Sequence, residues 1–300
     1  MIHGIMQQIK RTGLIHPNTT PFCSNLVRHI KLFYLLPEQR GLFVKITNGD
    51  EAKREYLALK GLSYSLANHV ARPLMFVERT PHTAFVTPLL KHRPIILKDF
   101  RNDKIYKQVS IILESQFLPS PTTPISQRGL DLQIKALLET ESLLLNMPTW
   151  TVDYIDSVMD SIYQAIPQCP QHSDLTLYNL GIHNNSLILF DWEDYGRISF
   201  AGFDIATFVF SLIIACKAYK LVANNPSYIF QLPGGQVALA ALQKNHIPLN
   251  VFTKFFPFFI LCFLYLKKEF AYGLGITQTT IEFLKTLFAS HPWKAIMLST

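Results

Sequence analysis

The rhythm of apolar and polar positions changes along the chain. Between residues 26 and 90 the apolar residues come in short runs broken by turn formers, the pattern of strands: Leu42-Phe-Val-Lys-Ile46, Leu74-Met-Phe-Val77 and Ala84-Phe-Val-Thr-Pro88. Between the first two runs, Ala52, Tyr56 and Leu59 recur at helical spacing behind Asp50, a residue type suited to an N-cap. The N-terminal third therefore predicts a small sheet with one inserted helix. From about residue 130 the period is helical, over Leu130–Asn146, Val152–Ile166, Ile205–Leu221, Gln236–Lys244, Val251–Tyr272 and Thr279–Ala289. The stretch Phe117-Leu-Pro-Ser-Pro-Thr-Thr-Pro124, with three prolines, reads as a loop. No internal repeat is present. The fold class is α+β: a small sheet lobe over residues 1–90, then a larger, mainly helical lobe over 91–300.

Composition narrows this picture. Hydrophobic residues make up 49% of the 300 and charged residues only 16%, against roughly 25% charged in typical domains. That balance excludes a disordered chain and favours a core-rich one. The net charge is +7, yet the basic residues are scattered and no Lys/Arg run reaches five. This is a basic surface that steers anions, and no nucleic-acid partner is expected. Cys23, Cys169, Cys216 and Cys262 form no C-x-x-C pair, the usage of reduced thiols in a cytoplasmic protein. The longest apolar run, Phe255 to Leu266, contains Pro257 and falls short of the ~20 residues a membrane span needs. It predicts a buried C-terminal helix, with weak peripheral membrane contact as the minor alternative.

The polar exception is the segment 169–194. A loop carrying His172, Asp174 and Asn179 leads into a hairpin whose turn is Asn184-Asn-Ser186 and whose returning strand, Ser186–Phe190, ends at Asp191. A hairpin brings its two ends together, so Asn179 and Asp191 should be neighbours. Two hard oxygen donors there suit Mg²⁺, which takes one or two carboxylates plus phosphate oxygens. Asp174, five residues before the asparagine, stands where a base for a substrate hydroxyl belongs.

The run His172-Ser-Asp174-x-x-x-x-Asn179, followed twelve residues later by Asp191-Trp-Glu193-Asp194, resembles the catalytic and metal-binding segments of the aminoglycoside phosphotransferase (kinase-like) family, whose pattern is roughly H-G-D-x-x-x-x-N and then D-W-E-D. The resemblance implies a two-lobed protein-kinase-like fold that binds ATP, with Asp174 as catalytic base and Asn179 and Asp191 as Mg²⁺ ligands. It makes His172 a loop-organising residue, and Asp204 the acid that ties this loop to the helical lobe. Glu193 and Asp194 are expected to draw in the acceptor, assist a second Mg²⁺, or cap the turn at Gly196.

The N-terminal lobe carries the other half of the pattern. A kinase-like site needs a strand lysine on the phosphates and a helix glutamate to position it. Lys45 and Glu55 fit those roles, although Glu51 lies one helical turn earlier. The phosphate loop departs from the family, which expects Gly or Ser there. Glycine is scarce (13 in the chain), and the candidate hairpin, 19–25, contains none. Ser24 and Asn25 are left as its polar tip.

These readings lead to an ATP- and Mg²⁺-dependent phosphotransferase acting on a hydroxyl of a small molecule: a sugar, an aminoglycoside-like compound, an amino alcohol or a glycan precursor. The alternative is a catalytically silent kinase-like nucleotide-binding or scaffold protein.

Overall fold

The structure, a computed structural model, describes the chain except for residues 1, 16–18, 20–21, 26–28, 36–40, 49, 63, 116–126, 141–147, 270–273 and 299–300. The predicted proline-rich loop therefore lies outside the described residues. The chain divides into two compact units, one comprising Met1–Pro94 with Asn179–Tyr195, the other Ile95–Tyr178 and Gly196–Thr300.

The first unit is built on an antiparallel sheet in the order β1-β2-β3-β5-β4. Its strands are β1 (Phe22–Asn25), β2 (His29–Leu35), β3 (Gly41–Asn48), β4 (Met75–Arg79) and β5 (His82–Pro88). Alternation on β3 explains its two faces. Leu42, Val44 and Ile46 pack with Leu32, Tyr34, Val77, Ala84 and Val86 against Ile5 and Ile9 of α1 (Ile2–Arg11), a helix the sequence reading did not anticipate. Lys45, between them, points to the opposite face, where α2 (Glu51–Gly61) buries Ala52, Glu55, Ala58 and Leu59. Asp50 precedes α2 as expected but makes no side-chain cap bond. Instead Thr47 Oγ1 accepts from Ala52 N at 3.1 Å, satisfying one of the helix's open N–H groups.

After the short α3 (Tyr64–Ala67), a second sheet orders β6 (Arg93–Pro94), β7 (Leu180–His183) and β8 (Ser186–Leu189). β7 and β8 are the predicted hairpin, with His183 opposite Ser186. Asn184 and Asn185 both take positive φ, 48° and 59°, which is what a two-residue type I′ turn requires. The hairpin is tied to the chain after α3: Leu189 N donates to His69 O at 2.7 Å. Gly181 is closely approached: a Cβ there would meet His92 Cδ2 at 2.6 Å and Phe190 Cε2 at 2.9 Å, so those rings would have to shift.

The second unit is helical: α4 (Asp103–Glu114), α5 (Gln127–Thr140), α6 (Trp150–Ala165), α7 (Phe203–Cys216), α8 (Tyr219–Asn224), α9 (Gly235–Lys244), α10 (Leu249–Glu269), α11 (Leu274–Phe288) and α12 (His291–Met297). The helix expected over 205–221 breaks in two. Lys217 adopts φ 52° and its N–H closes on Ile213 and Ile214 carbonyls, a left-handed C-cap that the apolar pattern does not reveal. Phenylalanines dominate the core: Phe203 meets Phe259, and Phe210 meets Phe263, at ring-centroid separations of 6.0 and 5.9 Å. The apolar helix is longer than its apolar run suggested. Leu249–Lys267 reaches the length and hydropathy of a membrane span, but 67% of that stretch is buried among other helices.

Candidate active site

In the first unit, Lys45 gathers carboxylates. Its Nζ lies 2.8 Å from Glu55 Oε2, 3.2 Å from Asp191 Oδ1 and 2.5 Å from Glu193 Oε2. Three pieces of chain meet here: β3 carries the lysine, α2 carries Glu55, and the end of the β7–β8 hairpin delivers both Asp191 and Glu193. Glu55, rather than Glu51, makes the pair, because it sits on the buried face of α2. Its other oxygen accepts from Trp192 N at 3.3 Å, and Arg54 Nε donates to Glu193 O at 3.3 Å. The last rung of the hairpin, Phe190 N to Asn179 O at 2.9 Å, places Asn179 one residue across from Asp191.

Burial works against the charge on Lys45, but Glu55, Asp191 and Glu193 outweigh it and hold its pKa well above the ordinary lysine value. Glu55 is pushed upward by burial, against the pull of Lys45 and with the push of Asp191. Burial sets the direction for Glu55, whereas the three carboxylates set it for Lys45. Oxygens of Glu55, Asp191 and Glu193 lie within 4.8 Å of one another. Asp191 is the most open of the three, with 30% of its side chain exposed. This is a hard, oxygen-only donor set whose chemistry suits a divalent cation.

In the second unit, the 171–175 loop is stitched to the start of α7. Asp204 Oδ2 accepts from His172 N at 2.5 Å, and Oδ1 from Ser173 N at 2.9 Å. Asp204 is fully buried, and burial pushes its pKa up to about 7 even though the N–H groups of His172 and Ser173 oppose the shift; nearby Asp174 adds to it. Ser173 has φ 69°, the left-handed region that favours glycine. Its hydroxyl is used: Ser173 Oγ accepts from Ile198 N at 3.1 Å and donates to Gln171 O at 3.3 Å. His172 is completely buried, and its Nδ1 accepts from Asp174 N at 3.3 Å, so the ring's proton belongs on Nε2. The Asp174 carboxylate is paired with Lys267 of α10, Nζ to Oδ2 2.7 Å.

The structure thus brings Lys45, Glu55, Asp191 and Glu193 together, with Asn179 alongside on the hairpin. It also groups His172, Asp174 and Asp204. Ser24 and Asn25 close β1, opposite Lys31 and Ile30 of β2, and the connection that follows lies outside the described residues. Two partners escaped the sequence reading. Glu193 was not expected on Lys45, although its position two residues after Asp191 was a signal for a shared face. Lys267 had no signal beyond being a charge that ends an apolar run.

Together these features define a chain with the two-lobed protein-kinase-like fold of the small-molecule kinases, the fold of aminoglycoside phosphotransferases and of choline and ethanolamine kinases. Three solved structures show the likeness. Ethanolamine kinase from Plasmodium vivax is 12% identical, with TM-score 0.60 over 96% of this chain and 87% of that one. An amicoumacin kinase in complex with AMP-PNP and Ca²⁺ is 13% identical, with TM-score 0.56 over 93% and 92%. An aminoglycoside phosphotransferase, APH(4)-Ia, bound to ADP and hygromycin B, is 11% identical, with TM-score 0.55 over 95% and 98%. No protein-family model and no curated protein sequence matches the chain.

Proposed function

We propose that this chain is a cytoplasmic, ATP- and Mg²⁺-dependent phosphotransferase whose acceptor is a hydroxyl of a small molecule. The observation that carries the reading is the buried Lys45 held by Glu55, Asp191 and Glu193. The three carboxylates, with oxygens within 4.8 Å of one another, are a donor set that would also hold a nucleotide-bound divalent cation. In this reading Lys45 holds the α/β-phosphates, and Glu55 fixes its ammonium. Asp191 and Asn179 would hold Mg²⁺, with Glu193 beside them, and Ser24 and Asn25, at the end of β1, would lead into the phosphate loop. Bound Mg²⁺ supplies neutralisation of the phosphate oxygens. Asp174 takes the proton of the acceptor hydroxyl as its oxygen bonds to the γ-phosphorus and the bond to the β–γ bridging oxygen breaks. His172 and Asp204 hold the loop that presents Asp174. The acceptor class is a sugar, an aminoglycoside-like compound, an amino alcohol or a glycan precursor.

The test is ATP consumption by the purified chain across a panel of such hydroxyl compounds. Asp174→Ala is expected to lower turnover by about 10²–10⁴-fold while the thermal shift caused by Mg·ATP persists. Undiminished turnover in that variant would remove Asp174 as base. A wild-type chain that Mg·ATP does not stabilise would point to the silent scaffold.

A further inference from the structure

We propose that Lys267 is a positioning residue for phosphotransfer, one that fixes the Asp174 carboxylate in place and balances its charge. The inference rests on the phosphotransferase reading of Asp174 given above.

Lysine is among the residues least often buried, yet Lys267 is only 8% exposed. Its stem runs back along α10, with Nζ 5.2 Å from the Phe263 ring centroid one turn earlier. The chain immediately before it on α10 is buried and apolar, from Phe258 to Leu264. Burying an ammonium at the end of such a face costs several kcal/mol unless it is paired. Its partner, at 2.7 Å, is Asp174 Oδ2. Two other titratable groups beside Asp174, Asp204 and His172, do not do this work. Asp204 repels it and is engaged by the backbone of His172 and Ser173. His172 turns an accepting nitrogen toward the Asp174 backbone. Lys267 therefore offsets the repulsion between Asp174 and Asp204 at the start of α7, and its short ion pair anchors Oδ2 of the Asp174 carboxylate.

An adjacent opposite charge favours the ionised form of a carboxyl group by roughly 1–3 pH units. Removing it should move the acid limb of catalysis to higher pH, which a merely structural lysine would not do.

The experiment measures ATP turnover against pH for the wild type, Lys267→Met and Lys267→Arg. Water serves as acceptor, and then each hydroxyl compound that supports consumption. Lys267→Met is expected to raise the acid limb by about one pH unit or more and to lower kcat by up to about 10²-fold, with KM for ATP little changed. Lys267→Arg should restore the acid limb. An unshifted limb in Lys267→Met overturns the inference, even with kcat reduced, while the phosphotransferase reading stands if Asp174→Ala is still inactive. If the wild type neither consumes nor binds ATP, the phosphotransferase reading fails first. A double-mutant cycle of Lys267→Met with Asp174→Asn in urea unfolding tests the pair without turnover, and strict additivity would overturn it.

Discussion

Around Lys45 one ammonium meets three carboxylates; around Asp174 one carboxylate meets one ammonium, and the second acid, Asp204, is answered by backbone N–H groups. Both groups of charges are largely buried, so each paid desolvation on folding. They differ in what is left over. The Asp174 loop is balanced as it stands, and its contacts hold a backbone in shape. The Lys45 cluster sets three carboxylates around one ammonium, and its most open member, Asp191, has 30% of its side chain exposed. A balanced buried network is what a base needs to be held still. An unbalanced one is what a cation site needs.

The largest expected effect breaks the first cluster. Lys45→Met leaves three carboxylates without their shared cation and should cost about 3–5 kcal/mol, read as a loss in urea unfolding. Adding Glu193→Gln should recover part of it, because one of the opposing charges is gone. A Lys45→Met chain as stable as wild type would mean that the cluster is not charged as described.

The next effect concerns Asp204, whose pKa rises to about 7 in the folded chain from roughly 3.9 unfolded. The folded state therefore holds its proton more tightly. Its contribution is fully present below about pH 4 and is lost as pH rises through 7. Relative to Asp204→Asn, the wild type should lose stability across that window and level off above it. A flat difference would show that the N–H groups of His172 and Ser173 keep Asp204 ionised throughout, making the two regions more alike.

The smallest effect falls on Ser173. Glycine would relieve a left-handed backbone costing about 1–2 kcal/mol but forfeit the hydroxyl's bonds to Ile198 and Gln171. Ser173→Gly should therefore change unfolding stability by no more than about 1 kcal/mol. A larger loss would assign the loop's shape to the hydroxyl.

Local pattern carried much of this into view from the residues alone. The Asn184-Asn185 turn is a backbone requirement written in two adjacent residues, and it delivers Asp191 beside Asn179. Lys45 and Glu55 stand out because a strand and a helix of readable period present them. Where packing decided, the pattern was silent. Lys267 meets Asp174 across more than ninety residues of chain, and no local spacing encodes that. α1 buries Ile5 and Ile9 within ten residues, too short a stretch for its period to stand out. The break at Lys217 is a single dihedral change inside a continuous apolar run. Thr47 replaces Asp50 as the cap of α2 because the strand end already places its hydroxyl there.

The composition of the first unit has a consequence for how the chain is made. Its sheet is complete by Pro94, but Asp191 and Glu193 belong to the same unit and come roughly a hundred residues later. At about 5–20 residues per second of synthesis, the sheet that ends by Pro94 would wait on the order of 5–20 seconds for Asp191 and Glu193. During that interval the young sheet has neither its second small sheet nor its outward carboxylate. A chain cut after residue 94 is expected to stay in that unfinished state.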